Sequence, residues 1–218
     1  MNSIPFAKAC RTVCGASLLA LGACGSLLPT PPLPPALHLL SAAPLAKRQQ
    51  LAAPRPAGLP SLHINAAQSA AGYDSRRIIY LREPNRLDYY ARHEWVDTPA
   101  RMLAPLLLAA MEASGRYRVV MAAPSAALAE YSLDSEVIRL QQDFSQSPSQ
   151  VLLVLRLSLM ERQSRRVLVS RVFESRCAAA SEDAAGGVNA AAVALTQILN
   201  ELADATDFAP LPSSSPRP

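Results

Sequence analysis

The chain has little of what chemistry at a protein site requires. No G-x-S-x-G elbow, phosphate-binding P-loop, G-x-G-x-x-G turn or H-E-x-x-H helix occurs in its 218 residues. Its histidines, His38, His63 and His93, fall on different expected elements without ligand spacing, so nothing marks a metal site. Net charge is only +4, and basic residues are not interleaved with aromatics, which argues against nucleic acid as a partner. The apolar core near the N-terminus, Val13 to Leu21, is nine residues long, well short of the ~20 a helix needs to cross hydrocarbon.

That short core has a different meaning. Lys8 and Arg11 precede it and the small residues Gly22 and Ala23 follow, so residues 1–23 have the order of a secretory signal. The ending Leu21-Gly22-Ala23-Cys24 resembles the lipobox of bacterial lipoproteins. Small residues suit the peptidase, Leu21 suits its apolar pocket, and only a thiol can form the thioether, so Cys24 is the expected lipidation site. It would carry an S-diacylglycerol and an N-acyl chain, with no other cofactor expected. Acyl chains bury methylenes at ~0.8 kcal/mol each, enough together for a stable anchor. Gly25 and Ser26 follow, and neither is the aspartate that commonly retains lipoproteins at an inner membrane. The expected place is the periplasmic leaflet of an outer membrane.

Loss of residues 1–23 removes Lys8 and Arg11 and lowers the net charge from +4 to +2. Cys10 and Cys14 leave too, and with Cys24 acylated the one remaining thiol is Cys177, which excludes an intrachain disulfide. A lone thiol of this kind reads as a buried small hydrophobe, since no histidine beside it could act as base. Prolines mark the boundaries: nine of 19 lie from Pro29 to Pro60 and four from Pro210 to Pro218. Residues 24–59 read as a lipidated, proline-rich tether and loop with a short edge strand at 37–40. Extended polyproline at ~3.1 Å per residue would let Gly25 to Ala36 reach roughly 37 Å. Residues 208–218 read as a disordered Pro/Ser tail.

Between them, residues 60–207 carry the periodicities of one α+β domain. The expected sheet is mainly antiparallel, with a helix in the N-terminal half and a C-terminal helix packed on it. Ser61 to Asn65 reads as a strand. Arg77 to Leu81 and Leu87 to Trp95 pair as a hairpin around Glu83-Pro84-Asn85-Arg86, with Leu87, Tyr89, Ala91, His93 and Trp95 on one face. Asp97 or Thr98 caps a helix that Gly115 ends, and Pro105 inside it predicts a kink or a late start. A strand follows at Tyr117 to Met121. Tyr131 to Phe144, Gln150 to Glu161 and Arg165 to Cys177 form a meander, and apolar spacing over 187–204 predicts the last helix.

Most chemistry-bearing side chains here have a structural explanation. Asp134 and Glu136 share a strand face and read as solvated rather than as paired acids. Arg162, Arg165 and Arg166 cluster at a hairpin tip, where they read as a solvated turn that blunts an edge and, functionally, as a contact for anionic headgroups or an acidic partner. Tyr89, Tyr90 and Trp95 are candidate partner contacts because aromatics anchor interfaces, with core packing the competing role.

One stretch is more specific. Gly72-Tyr73-Asp74-Ser75-Arg76-Arg77-Ile78-Ile79-Tyr80, then Tyr89-Tyr90, Trp95, Pro99, Leu103, Leu107 and Ser114-Gly115-Arg116-Tyr117-Arg118-Val119 resemble the ABC-type transport auxiliary lipoproteins of the PqiC type. Pro105 and the tight turn at Glu83-Pro84-Asn85 depart from that pattern. The resemblance implies an outer-membrane lipoprotein working with a mammalian-cell-entry (MCE) protein, a permease and an ATPase to move lipids or other hydrophobic molecules. It implies no enzyme activity in this subunit, in keeping with the missing P-loop. Other readings are an adaptor of lipopolysaccharide assembly or of cell-wall synthase activation, and a periplasmic hydrolase whose site the sequence hides. Oligomeric state, a homo-oligomer included, stays open.

Overall fold

Thirteen consecutive residues from Tyr131, most of them buried, form the strand on which the sheet is built. The computed structural model describes residues 33–43, 56 and 58–210. The expected signal segment, Cys24, residues 24–32, 44–55 and 57 of the expected tether and loop, and residues 211–218 lie outside the described residues, and the fold is that of the unit beginning at Pro35. Its strands are β1 (Ala36–His38), β2 (Ser61–Ile64), β3 (Gln68–Ser69), β4 (Arg77–Leu81), β5 (Asp88–Trp95), β6 (Val119–Ala122), β7 (Tyr131–Asp143), β8 (Gln150–Glu161) and β9 (Arg166–Ala178). Its helices are α1 (Pro99–Ser114) and α2 (Ala184–Asp204), with a final 3-10 turn at Thr206–Phe208.

Along one edge β7 pairs antiparallel with β8 from Tyr131↔Glu161 to Asp143↔Gln150, and β8 pairs antiparallel with β9. This is the expected meander. Along its other edge β7 carries three short strands in parallel, with β2 at 131–133, β3 at 136–137 and β4 at 142–143. β2 continues to β6, also in parallel, while β4 pairs antiparallel with β5, and β5 in parallel with β1. The nine-stranded sheet is therefore antiparallel in its long pairings, as expected, and mixed through the short strands that join it in parallel. Short strands joined by long connections carry no hairpin signal, so their direction was not readable from spacing.

Both helices pack on one face of this sheet, α2 across β8 and β9 and against α1. Thr98 caps α1 by accepting from the Arg101 amide, and Gly115 closes it in the left-handed region at φ 70°. The helix starts at Pro99, so the late start does not occur, and it runs through Pro105. Pro105 and Arg101 are exposed, so the carbonyl that loses its proline donor lies on the solvent side. Leu103, Leu107, Met111, Leu133, Leu155, Leu157, Leu195 and Leu199 are among the fully buried centre of the core. Cys177 joins it as a buried free thiol 3.5 Å from Gln197 Oε1, as a small hydrophobe would.

Two sequence expectations are corrected here. Phe208, at the start of the expected tail, is fully buried: its ring meets Phe173 at 5.8 Å, and Tyr117 donates to its carbonyl at 2.8 Å. A bulky ring beside an apolar helix end is drawn into the core whatever the composition after it. On β5 the single-face alternation fails, because the pairing with β4 shifts register between Arg77 and Ile79. Trp95 is buried while Tyr89 is exposed.

Candidate functional site

The β4–β5 hairpin, which carries the aromatic candidates, is held at both ends. At its turn Asn85 adopts φ 65°, and Arg86 bridges Glu83 at 2.9 Å and Asp88 at 3.2 Å. At its base the Trp95 amide donates to the Arg76 carbonyl at 2.7 Å, Arg76 Nε donates to the Trp95 carbonyl at 3.0 Å, and Arg76 pairs with Glu94 at 3.6 Å. Gly72, at φ 89°, starts the segment whose Tyr73 hydroxyl donates to Gln141. Gln141 is the register neighbour of Leu152, which is buried with Val154 on the face that alternates with the core residues Val151, Leu153 and Leu155. The Tyr-Asp-Ser-Arg motif thus acts as a fastening, closing the hairpin base through Arg76 and tying the sheet's other face through Tyr73.

The three aromatic candidates are not brought together. Trp95 is only 3% exposed and packs in the core. Beside it Ile78, Leu140, Val151, Gly187 and Ala191 line a half-open crevice of about 10 Å³, room for roughly one water and too small for an acyl chain. Tyr90 is half-buried and points inward. Its hydroxyl donates to Gln142 Oε1 at 2.8 Å, Gln142 Nε2 donates to Ser149 Oγ at 2.8 Å, and the Ser149 amide donates to Glu182 at 2.8 Å. Burial, followed by the charge of Asp183, pushes the Tyr90 phenol up to about 12, so it remains a neutral donor. This buried chain joins β5, β7, the turn after β7 and the start of α2. Gln142 reaches that position because residue 187 is glycine, where an added Cβ would stand 2.2 Å from its oxygen.

Tyr89 projects the opposite way. It is 40% exposed with the Arg77 guanidinium 4.6 Å above its ring, a cation–π pair of the kind that anchors protein interfaces. A second set, Arg82 at 5.4 Å from the Tyr80 ring and 5.7 Å from Phe144, lies near the hairpin turn. Of the three candidates, Tyr89 is therefore the one whose ring is exposed at the surface. The sequence signal that separates it from Tyr90 is simple adjacency on a strand, which sends neighbours to opposite faces.

Other chemistry-bearing residues are accounted for locally. Glu136 pairs with Arg156 at 2.6 Å and Asp134 accepts from Asn65 at 2.6 Å, so these acids are engaged separately on an exposed face. Arg162, Arg165 and Arg166 are exposed around the β8–β9 turn. Among the described residues no group of three or more His, Cys, Asp or Glu could hold a metal, and no helix is long and apolar enough to cross a membrane. One juxtaposition escaped the sequence: β1 lies beside β5, and His38 Nε2 meets His93 Nδ1 at 2.9 Å. Nothing in their spacing announces it.

Comparison with known proteins agrees with this architecture. The crystal structure of protein XCC0632 from Xanthomonas campestris, assigned to the family DUF330, superposes with a TM-score of 0.65 at 26% identity, covering 79% of this chain and 95% of that one. The crystal structure of an uncharacterized protein gives 0.61 at 10% identity, over 79% of this chain and 98% of the other, and shares the fold alone. No curated protein matches significantly. The family model for the ABC-type transport auxiliary lipoprotein component matches residues 38–203, from the end of β1 almost to the end of α2. With that match spanning the strands, the fastening motif and both helices, the chain belongs to the ABC-type transport auxiliary lipoprotein family.

Proposed function

We propose that this protein is a non-enzymatic auxiliary subunit of an MCE-type ABC transport system that moves lipids or other hydrophobic molecules across the cell envelope. The observation that carries the reading is the family match over residues 38–203, which begins shortly after the lipobox cysteine, Cys24. Cys24 bears an S-diacylglycerol and an N-acyl chain and holds the protein at the periplasmic leaflet of the outer membrane. The α+β domain engages the periplasmic part of the transporter, the MCE protein with its permease and ATPase. Tyr89 under Arg77 is the contact the geometry favours, since an exposed ring already stacked by a guanidinium loses little conformational freedom on docking.

Capture of tagged full-length protein in mild detergent, followed by mass spectrometry, tests this. Recovery of an MCE-domain protein or its permease is the expected result. Recovery instead of a β-barrel assembly factor or a penicillin-binding protein would transfer the protein to another envelope machine. Incorporation of labelled palmitate that vanishes in Cys24→Ala is the matching test of the anchor, and label retained in that variant refutes it.

A further inference from the structure

We propose that His38 and His93 form an acid-released clasp on the edge strand β1: a single shared N–H joins the two rings, and protonation of both facing nitrogens frees the strand. The geometry is that of a hydrogen bond along one line. His38 Nε2 and His93 Nδ1 are 2.9 Å apart, and one ring radius on each side accounts for the 5.2 Å between ring centres. In the neutral pair one nitrogen donates and the other accepts. One added proton can sit on an outward nitrogen and leaves a stronger, charge-assisted bond. A second proton places N–H on both facing nitrogens, and the bond becomes a repulsion.

The surroundings can stabilise one charge there. At the start of α2 the Asp183 carboxyl is held below its ordinary value first by the Gly186 amide, which donates to its Oδ1 at 2.8 Å, and by the Ser181 hydroxyl at 2.7 Å, with the charge of His93 the last and smallest influence on it. Glu182 is occupied by Ser149, and Glu94 on β5 by Arg76. Tyr90 offers only its ring, edge-on at 6.1 Å from His93, and Tyr80 of β4 lies behind it at 4.8 Å. From α1 the neighbour of this strand is Met102, whose sulfur accepts from the Leu40 amide. Burial, and then the His93 charge, lowers the His38 pKa below its ordinary 6.5, so the second proton enters on the acid side of that value.

β1 has few other fastenings. It makes three register pairs with β5, ends on the bond from the Val96 amide to the His38 carbonyl at 2.8 Å, and terminates the sheet. Its exit places Leu40 in the core and hydrogen-bonds Ala43 to Thr196 at 2.8 Å. Release would lengthen the chain between residue 24 and β2; that consequence rests on the anchor at Cys24, whereas the clasp does not.

Hydrogen exchange of the full-length protein in mild detergent, from pH 7.5 down to 4.5 and corrected for the intrinsic pH dependence, reads the clasp directly. In the native sequence, protection of peptides covering 36–43 should fall by about tenfold per pH unit once the second nitrogen titrates, because opening takes up one more proton. Peptides from β8 serve as the reference and should hold. In His38→Gln the amide can donate to a neutral His93 or turn its oxygen to a charged one, so protection of 36–43 should not depend on pH. Flat protection in the native protein down to pH 4.5, or the same acid loss in His38→Gln, overturns the proposal. Neither outcome depends on which partner is captured.

Discussion

Replacing Gly187 by alanine sets two effects of opposite sign against each other. In the body of a helix glycine is worse than alanine by up to about 1 kcal/mol, so propensity alone makes Gly187→Ala stabilising. The added Cβ, however, would stand 2.2 Å from Gln142 Oε1 and 2.9 Å from its Cδ. Gln142 has nowhere to retreat at no cost: it is 2% exposed, with Tyr90 at one end of its amide and Ser149 at the other. Each buried polar group left without a partner costs about 1–3 kcal/mol, so displacing this side chain outweighs the propensity gain, with a net loss of about 1–3 kcal/mol. For a domain of this size that is a fall in Tm of roughly 3–10 °C. Thermal and urea denaturation followed by circular dichroism measure it, and a double-mutant cycle with Tyr90→Phe locates it. If the buried chain is the cause, the effect of Tyr90→Phe should shrink when Gly187→Ala is already present. A Tm that rises in Gly187→Ala, or strict additivity in the cycle, refutes the reasoning.

Three further outcomes are expected. Trp95→Ala removes a core ring and should cost about 3–5 kcal/mol in urea unfolding, a size that an exposed docking residue could not produce. Tyr89→Ala should change stability by less than about 0.5 kcal/mol, yet reduce recovery of the transport partner in detergent capture; unchanged recovery would remove Tyr89 from the interface. The Glu130 carboxyl is held below its ordinary 4.5 by the Ser61 hydroxyl, with the Ser61 amide also donating to it at 2.8 Å. A depressed carboxylate pKa contributes stability above the unfolded value that disappears as pH falls through the folded one. Glu130→Gln should therefore lose stability at neutral pH and show a shallower acid decline below about pH 4.5; parallel pH profiles for the two proteins would contradict this.

Several elements were legible because their signals are local. Thr98 and Gly115 delimit α1 through capping chemistry contained within a few residues, and the meander of β7, β8 and β9 is encoded in long alternation broken by short turns. The motif from Tyr73 to Tyr80 identified the family before its structural work was visible. What it does, fastening Arg76 to Trp95 and Tyr73 to Gln141, depends on partners brought from other strands.

By itself the sequence determined the order of the elements other than β3 and the final 3-10 turn, the candidate anchor at Cys24 and the family, since each is written in neighbouring residues or in a motif that keeps its spacing. Only the tertiary structure decided that β2, β3 and β4 lie in parallel along one edge of β7, and that a register shift sends Trp95 inward while Tyr89 stays outside. It alone set His38 against His93, 55 positions away, and Gln142 against Gly187. The physical reason is common to all of these. A side chain's local pattern states which faces can be buried, whereas the partner it meets depends on strand direction and register, which are settled when the whole sheet closes over its core.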